Sequence, residues 1–237
     1  MTSPRDVGGQ RAVAARIPGA AGLGLVPPAS APLVPGVLLA DPGQVAPLIE
    51  ARIPPRTADR RVAATVWWYS ASAVLVTPAL AGLVTGIPLS GRLADTSLEF
   101  RPDGLPVAAS SSAPGRDVPA ELRETLSAVV AAVAAAGRMR ERPLWAITTD
   151  SIANQLLALG RALGDVLAAT AHAAPLAEAI GGPLPAPRYD DVGGARFTRR
   201  ASCCLIEELP SGSRCTSCPR RPPAERHALL VQAARWF

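Results

Sequence analysis

The 237-residue chain contains no lysine. Apart from two histidines its basic residues are all arginine, and alanine, proline and glycine are abundant. That combination reads as the imprint of a genome rich in G and C, not as a surface selected for positive charge. The formal charge of +5 is therefore a poor argument for nucleic acid. Nucleic-acid modules cluster basic residues and interleave them with aromatics. Here aromatics make up only 4% and the arginines are scattered outside the C-terminal region, so no nucleic-acid partner is expected. A Walker-type loop is also missing. Gly19, Gly22 and Gly24 have something of a dinucleotide loop's spacing, but no strand signal precedes them and prolines follow. A nicotinamide cofactor is thus not expected, and any electron must come from a separate donor.

Residues 1–16 carry charges and glycines where a secretory leader would have an apolar centre. A reducing, cytoplasmic setting is the expectation. The uncharged stretch 62–89 is long enough to span a bilayer, yet it holds Thr65, Ser70, Ser72, Thr77 and Pro78. It reads as a buried core helix, with peripheral contact at the inner face of a membrane as the alternative.

The pattern along the chain predicts a mainly α protein: a helical bundle with a minor β-hairpin and a small C-terminal metal-binding module. Residues 1–40 read as irregular and rich in Pro, Ala and Gly, with a short helix near 11–16. Residues 41–195 read as the helical domain and 196–237 as the metal module. Within the helical part, a short helix starts at Asp41-Pro42. After the break at Pro54-Pro55, Thr57 is placed to cap the long apolar helix, with Pro78 as a potential kink. Asp103-Gly104 between apolar runs signals a hairpin over 96–108, and 110–114 reads as a loop. Leu122, Leu126, Val129, Val130 and Val133 give one helical face, opened by Asp117 and Pro119 and closed by Gly137. Ile152, Leu156, Leu159, Leu163 and Val166/Leu167 give another. Residues 173–182 read as a short helix, 183–195 as a linker and 224–236 as a closing helix.

Cysteine is absent before position 203, then appears as Cys203-Cys204, ten residues, Cys215-Thr216-Ser217-Cys218 and Pro219. Four thiolates suit either a [2Fe–2S] cluster or a structural zinc. Zinc knuckles pair cysteines two to four residues apart, which fits Cys215 and Cys218. The adjacent Cys203 and Cys204 project in different directions and suit a group with two metal atoms better. The reading favours the cluster, with structural zinc and redox-active thiols left open. Ser211, Gly212, Ser213, Thr216 and Ser217 are candidate donors to sulfur. Seven arginines (196, 199, 200, 214, 220, 221, 226) against Glu207, Glu208 and Glu225 predict a local positive field. Such a field would offset an anionic cluster and attract an acidic donor.

The run Arg199-Arg200-Ala201-Ser202-Cys203-Cys204-Leu205, through Leu209-Pro210 to Cys215-Thr216-Ser217-Cys218-Pro219, resembles the C-terminal signature of the FhuF-like ferric-siderophore reductases. Gly86-Ile87-Pro88-Leu89 and Leu144-Trp145 are similar to looser upstream features of that mainly helical family. The resemblance implies a [2Fe–2S] cluster on Cys203, Cys204, Cys215 and Cys218 and no catalytic residue beyond it. It also implies one-electron reduction of a ferric siderophore, often of hydroxamate type, fed by a ferredoxin or flavin protein. Fe(II) is held far more weakly than Fe(III) by most oxygen chelators, in keeping with its low place in the divalent affinity order, so reduction releases the iron. The competing readings are a helical binding protein with a zinc tail, and an iron–sulfur electron carrier or redox sensor.

Other residues are weaker candidates. His227 is a potential substitute ligand, and His172 reads as a helix-end residue. Trp67, Trp68 and Tyr69 suit core packing better than a chelate pocket. Asp150 and Asn154 lie one turn apart and read as capping or solvent-facing groups, with a site as the alternative.

Overall fold

The computed structural model describes residues 8–27, 33–51, 59–210 and 212–236. It is mainly helical, with two small antiparallel sheets.

Helix α1 (Gly8–Ala15) opens the described chain. Strand β1 (Leu33–Pro35), a 3₁₀ turn (Gly36–Ala40) and α2 (Pro42–Ala51) follow. The described parts of the N-terminal stretch expected to be largely irregular, 8–27 and 33–40, are therefore built into the fold. Its anchor is Gln10, only 2% exposed. The Gln10 amide donates to the Leu25 and Ala109 carbonyls at 2.9 Å and accepts from the Ser111 N–H at 2.6 Å. One buried side chain thus satisfies backbone groups that would otherwise be orphaned.

The long helix α3 (Arg60–Thr85) lies at the centre. Its cap is Asp59, whose carboxylate accepts from Arg61 N–H at 2.8 Å; Pro54, Pro55 and Thr57 lie outside the described residues. Gly86, at φ 71°, closes it in the left-handed conformation that glycine adopts without penalty. Among the described helices, α3 is the one long and apolar enough to cross a membrane. Along most of its length, residues from Val62 to Gly82 are buried in the core. Trp67 and Trp68 are fully buried, and their indole N–H groups donate to the carbonyls of Gly104 at 2.9 Å and Leu144 at 3.0 Å. These are core residues, as the pattern indicated.

Strands β2 (Thr96–Phe100) and β3 (Pro106–Ser111) form the expected hairpin. It is part of a three-stranded sheet in the order β1-β2-β3, and 110–111 extend β3 where a loop was expected. Gly104 sits in the connection at φ +73°, and a Cβ there would lie 2.6 Å from the Leu48 carbonyl oxygen. Gly104→Ala is expected to lower stability by about 1–2 kcal/mol from backbone strain alone, read as a lower urea midpoint at unchanged slope.

Helices α4 (Val118–Ala136) and α5 (Arg142–Leu163) follow; Asp117 caps α4 through a 3.1 Å bond from Ala120 N–H. Gly164, at φ 75°, ends α5, so the apolar stripe does not run on through Val166/Leu167. Those two residues belong to α6 (Val166–Ala171), and Leu167 is 66% exposed. Helix α7 (Ala173–Ile180) is the short helix expected there, with His172 at the α6–α7 junction.

Of the expected linker over 183–195, residues 183–188 are irregular, whereas 189–195 belong to a second hairpin. Strand β4 (Tyr189–Val192) pairs with β5 (Ala195–Thr198) across Gly193-Gly194, both at positive φ. Strand β5 packs on α5, and the Tyr189 hydroxyl donates to the Ala153 carbonyl at 3.1 Å. Helix α8 (Pro223–Ala234) covers β4. The cysteine loop is thus suspended between a hairpin rooted on α5 and a terminal helix.

Candidate metal centre

The loop carrying the first two cysteines is fixed at both sides. On one side Leu205 (φ 60°) turns the chain and buries its side chain against Val62 and Val66 of α3. On the other, Asp150 of α5 accepts from Ala201 N–H at 2.6 Å, from Ser202 N–H at 3.3 Å and from Arg200 Nε at 3.3 Å. Asp150 is 1% exposed and so is a structural anchor of the loop, not a helix cap or a solvent-facing group. Burial pushes its carboxyl up, while the two amides and the guanidinium pull it down. Among the described residues, Asn154 makes no hydrogen bond to this loop.

Arg200 is the hub. Its side chain is 3% exposed, ion-paired to Asp150 and stacked 4.8 Å over the Tyr69 ring. Its Nη1 donates to Cys215 Sγ at 3.4 Å and Cys204 Sγ at 3.5 Å. Burial works against its charge, but Tyr69, Cys204 and Asp150 more than offset that and raise its pKa. Tyr69 therefore faces the thiol site, unlike its two tryptophan neighbours.

The four thiols are all free and fall into two pairs. Cys203 Sγ and Cys218 Sγ are 3.9 Å apart. Cys215 hydrogen-bonds to Cys204, whose pKa falls to about 5 through that bond, a bond from the Ile206 N–H and the Arg200 charge. Cys215 is correspondingly held protonated. The Leu205 N–H donates to Cys203, although burial keeps that thiol above its ordinary value. Among the described residues, donors to sulfur come from Arg200 and the amides of Leu205 and Ile206, not from Gly212, Ser213, Thr216 or Ser217; Ser211 lies outside the described residues.

This donor set can be tested against the group it would hold. Metal–thiolate bonds of about 2.3 Å put two ligands of one tetrahedral ion about 3.8 Å apart. The Cys203–Cys218 separation fits that edge. Crossing the two cysteines of each motif between pairs lets adjacent residues serve different metal atoms, which a two-iron group accepts and a single ion does not. Amide and guanidinium donors to sulfur are the groups that stabilise thiolates around such a centre. Glu207 also comes within 4.8 Å of Cys203 and Cys218 in donor-atom distance. Its carboxylate is taken up by Arg214 and Arg220, so it serves as a counter-ion.

The local positive field is largely cancelled by contacts the sequence did not display. Arg196 forms a two-bond pair with Asp191, Arg199 faces Asp190 at 3.6 Å, Arg200 holds Asp150, Arg220 also reaches Glu208, and Arg221 pairs with Glu225. Of the seven arginines, Arg226 has no carboxylate partner among the described residues. His227 lines a surface groove with Asp190 and Leu230 and does not hydrogen-bond to any of the thiols.

A mainly helical scaffold that presents four paired thiols on an arginine-braced loop defines a thiolate-ligated metal protein. Residues 200–220 match the family model of the FhuF 2Fe-2S C-terminal domain, so the cysteine motif is that of FhuF-like proteins and the cofactor it takes is a [2Fe–2S] cluster. No curated protein matches the chain.

Proposed function

We propose that the protein is a ferric-siderophore reductase, with Cys203, Cys204, Cys215 and Cys218 as the ligands of its [2Fe–2S] cluster. The observation that carries this is the gathering of the four thiols into two pairs within a segment matching the FhuF 2Fe-2S domain. The cluster supplies a one-electron couple. The chain's own work is to hold it: Asp150 and Leu205 fix the loop to α5 and α3, and Arg200 bonds two of the sulfurs. Cys203 and Cys215 are partly exposed, whereas Cys204 and Cys218 are buried. One electron arrives from a separate donor, a ferredoxin or a flavin protein. It leaves to Fe(III) in the chelate, a hydroxamate among the candidates, giving Fe(II) for iron assimilation. No general acid or nucleophile is needed. The setting is the cytoplasm, where such donors are reduced.

The test is anaerobic. Protein reduced with dithionite and freed of excess reductant is mixed with a ferric hydroxamate and a chromogenic Fe(II) chelator. One Fe(II) trapped per protein reoxidised is the expected stoichiometry. Reoxidation no faster than in chelate-free buffer would leave an electron carrier without a siderophore site.

A further inference from the structure

Beside the cysteine loop lies a cavity of about 200 Å³, formed where β4, β5 and α8 meet the second cysteine turn. Thr198, Arg199, Arg200, Ser217 and Arg226 line it, with Asp190 as the one carboxylate. Two buried polar atoms of these residues have no hydrogen-bond partner among the described residues: Thr198 Oγ1 and Arg200 Nη2. The other nitrogens of Arg200 are engaged, Nε with Asp150 and Nη1 with Cys204 and Cys215. An unpaired guanidinium N–H in the interior is costly, and native structures seldom leave one without a ligand or water. Arg226 makes a single 3.4 Å bond to the Arg221 carbonyl, so its charge is available as well. Asp190, which shares this lining, is 3.6 Å from Arg199 and makes no ion pair with Arg226 among the described residues.

We propose that this cavity binds a small oxyanion, with Arg200 Nη2, Thr198 Oγ1 and Arg226 as its donors. Two guanidinium groups and a hydroxyl are the chemistry that recognises phosphate or carboxylate. The volume is below that of pockets that enclose drug-sized ligands. It admits a free anion or one pendant carboxylate, not a whole ferric chelate. This site is independent of the siderophore reading. It has a redox consequence, because Arg200 touches the anion with one nitrogen and two cysteine sulfurs with another. Negative charge placed there favours the oxidised form of the neighbouring centre. By linkage, the anion then binds the oxidised protein more tightly than the reduced one.

The experiment is calorimetric titration of the oxidised, cluster-loaded protein with inorganic phosphate, repeated on Arg226→Ala and Thr198→Val. Neither residue is a ligand, and iron content and visible spectrum should be unchanged in both. Phosphate is expected to bind at one site, about tenfold more weakly in Arg226→Ala and about fivefold more weakly in Thr198→Val, as befits one charged and one neutral hydrogen bond. A tenfold preference for the oxidised form would appear in a redox titration as a phosphate-dependent fall of about 59 mV for one electron. Competition by a redox-inert gallium(III) chelate with free carboxylates would identify the pendant group as the occupant, and its failure to compete would identify the free anion; either outcome upholds the site. Absence of binding at millimolar phosphate, or affinities equal in all three proteins, would overturn it.

Discussion

Cys215→Ser protein is expected to leave the column colourless, with iron falling from about two per chain to near zero. Cys215 is the thiol that receives Arg200 Nη1 and hydrogen-bonds to Cys204, so it closes one of the two sulfur pairs. A serine hydroxyl keeps the shape, but it is a hard, weakly acidic donor where a soft thiolate is required. The remaining three thiols cannot complete both metal atoms. The fold itself should survive, because Cys215 belongs to neither apolar cluster of the core. Iron, sulfide and zinc counted on one sample, with helical content by circular dichroism, check the prediction. Full iron retention in a folded variant would remove Cys215 from the ligand set, and one zinc in the unmutated protein would replace the cluster with a structural ion.

A second large effect is expected at Asp150. Asp150→Ala strips the carboxylate from a guanidinium that is 3% exposed. Breaking a buried pair by removing one partner costs about 3–5 kcal/mol, since the other charge stays buried and uncompensated. For a chain of this size that is on the order of 10 °C in melting temperature. The paired change Asp150→Leu with Arg200→Met replaces both charges by apolar groups and should recover much of that loss. Cluster occupancy should not recover with it. Asp150 also accepts from Ala201 and Ser202 N–H, and Arg200 donates to two sulfurs, so the double variant still loses the bonds that shape the loop. Thermal melts and iron counts on the three proteins separate these effects. Equal recovery of both would make the pair a stability element alone.

The cysteine motif was legible because its chemistry is local: four thiols in a short stretch, two of them adjacent. The same holds for the helix over 118–136, whose cap, period and stop signal sit in consecutive residues, and for the hairpin turn at Asp103-Gly104. What stayed hidden depends on distant partners. Strand β1 is three residues long and exists because β2 offers an edge far along the chain. Strands β4 and β5 were masked by surrounding prolines, though Gly193-Gly194 between Tyr189 and Phe197 was a readable hairpin signal. Asp150 looked like a surface acid in isolation. Its neighbours one turn away, Ile147 and Ala153, are apolar and both buried, which marks this face of α5 as pointing inward. The arginine field was overestimated because Asp150, Asp190 and Asp191 lie outside the window in which charge was counted.

The mounting of Arg200 bears on how fast such a site can work. Its guanidinium is gripped by Asp150 on one side and by the Tyr69 ring on another, and both belong to core helices. A dipole or charge already in place does not have to reorient when an electron arrives. A flexible surface lysine in the same position would have to swing and resolvate at every turnover. The protein has instead built its counter-charge into the interior, so a change of charge at the thiols is met by a group already in place.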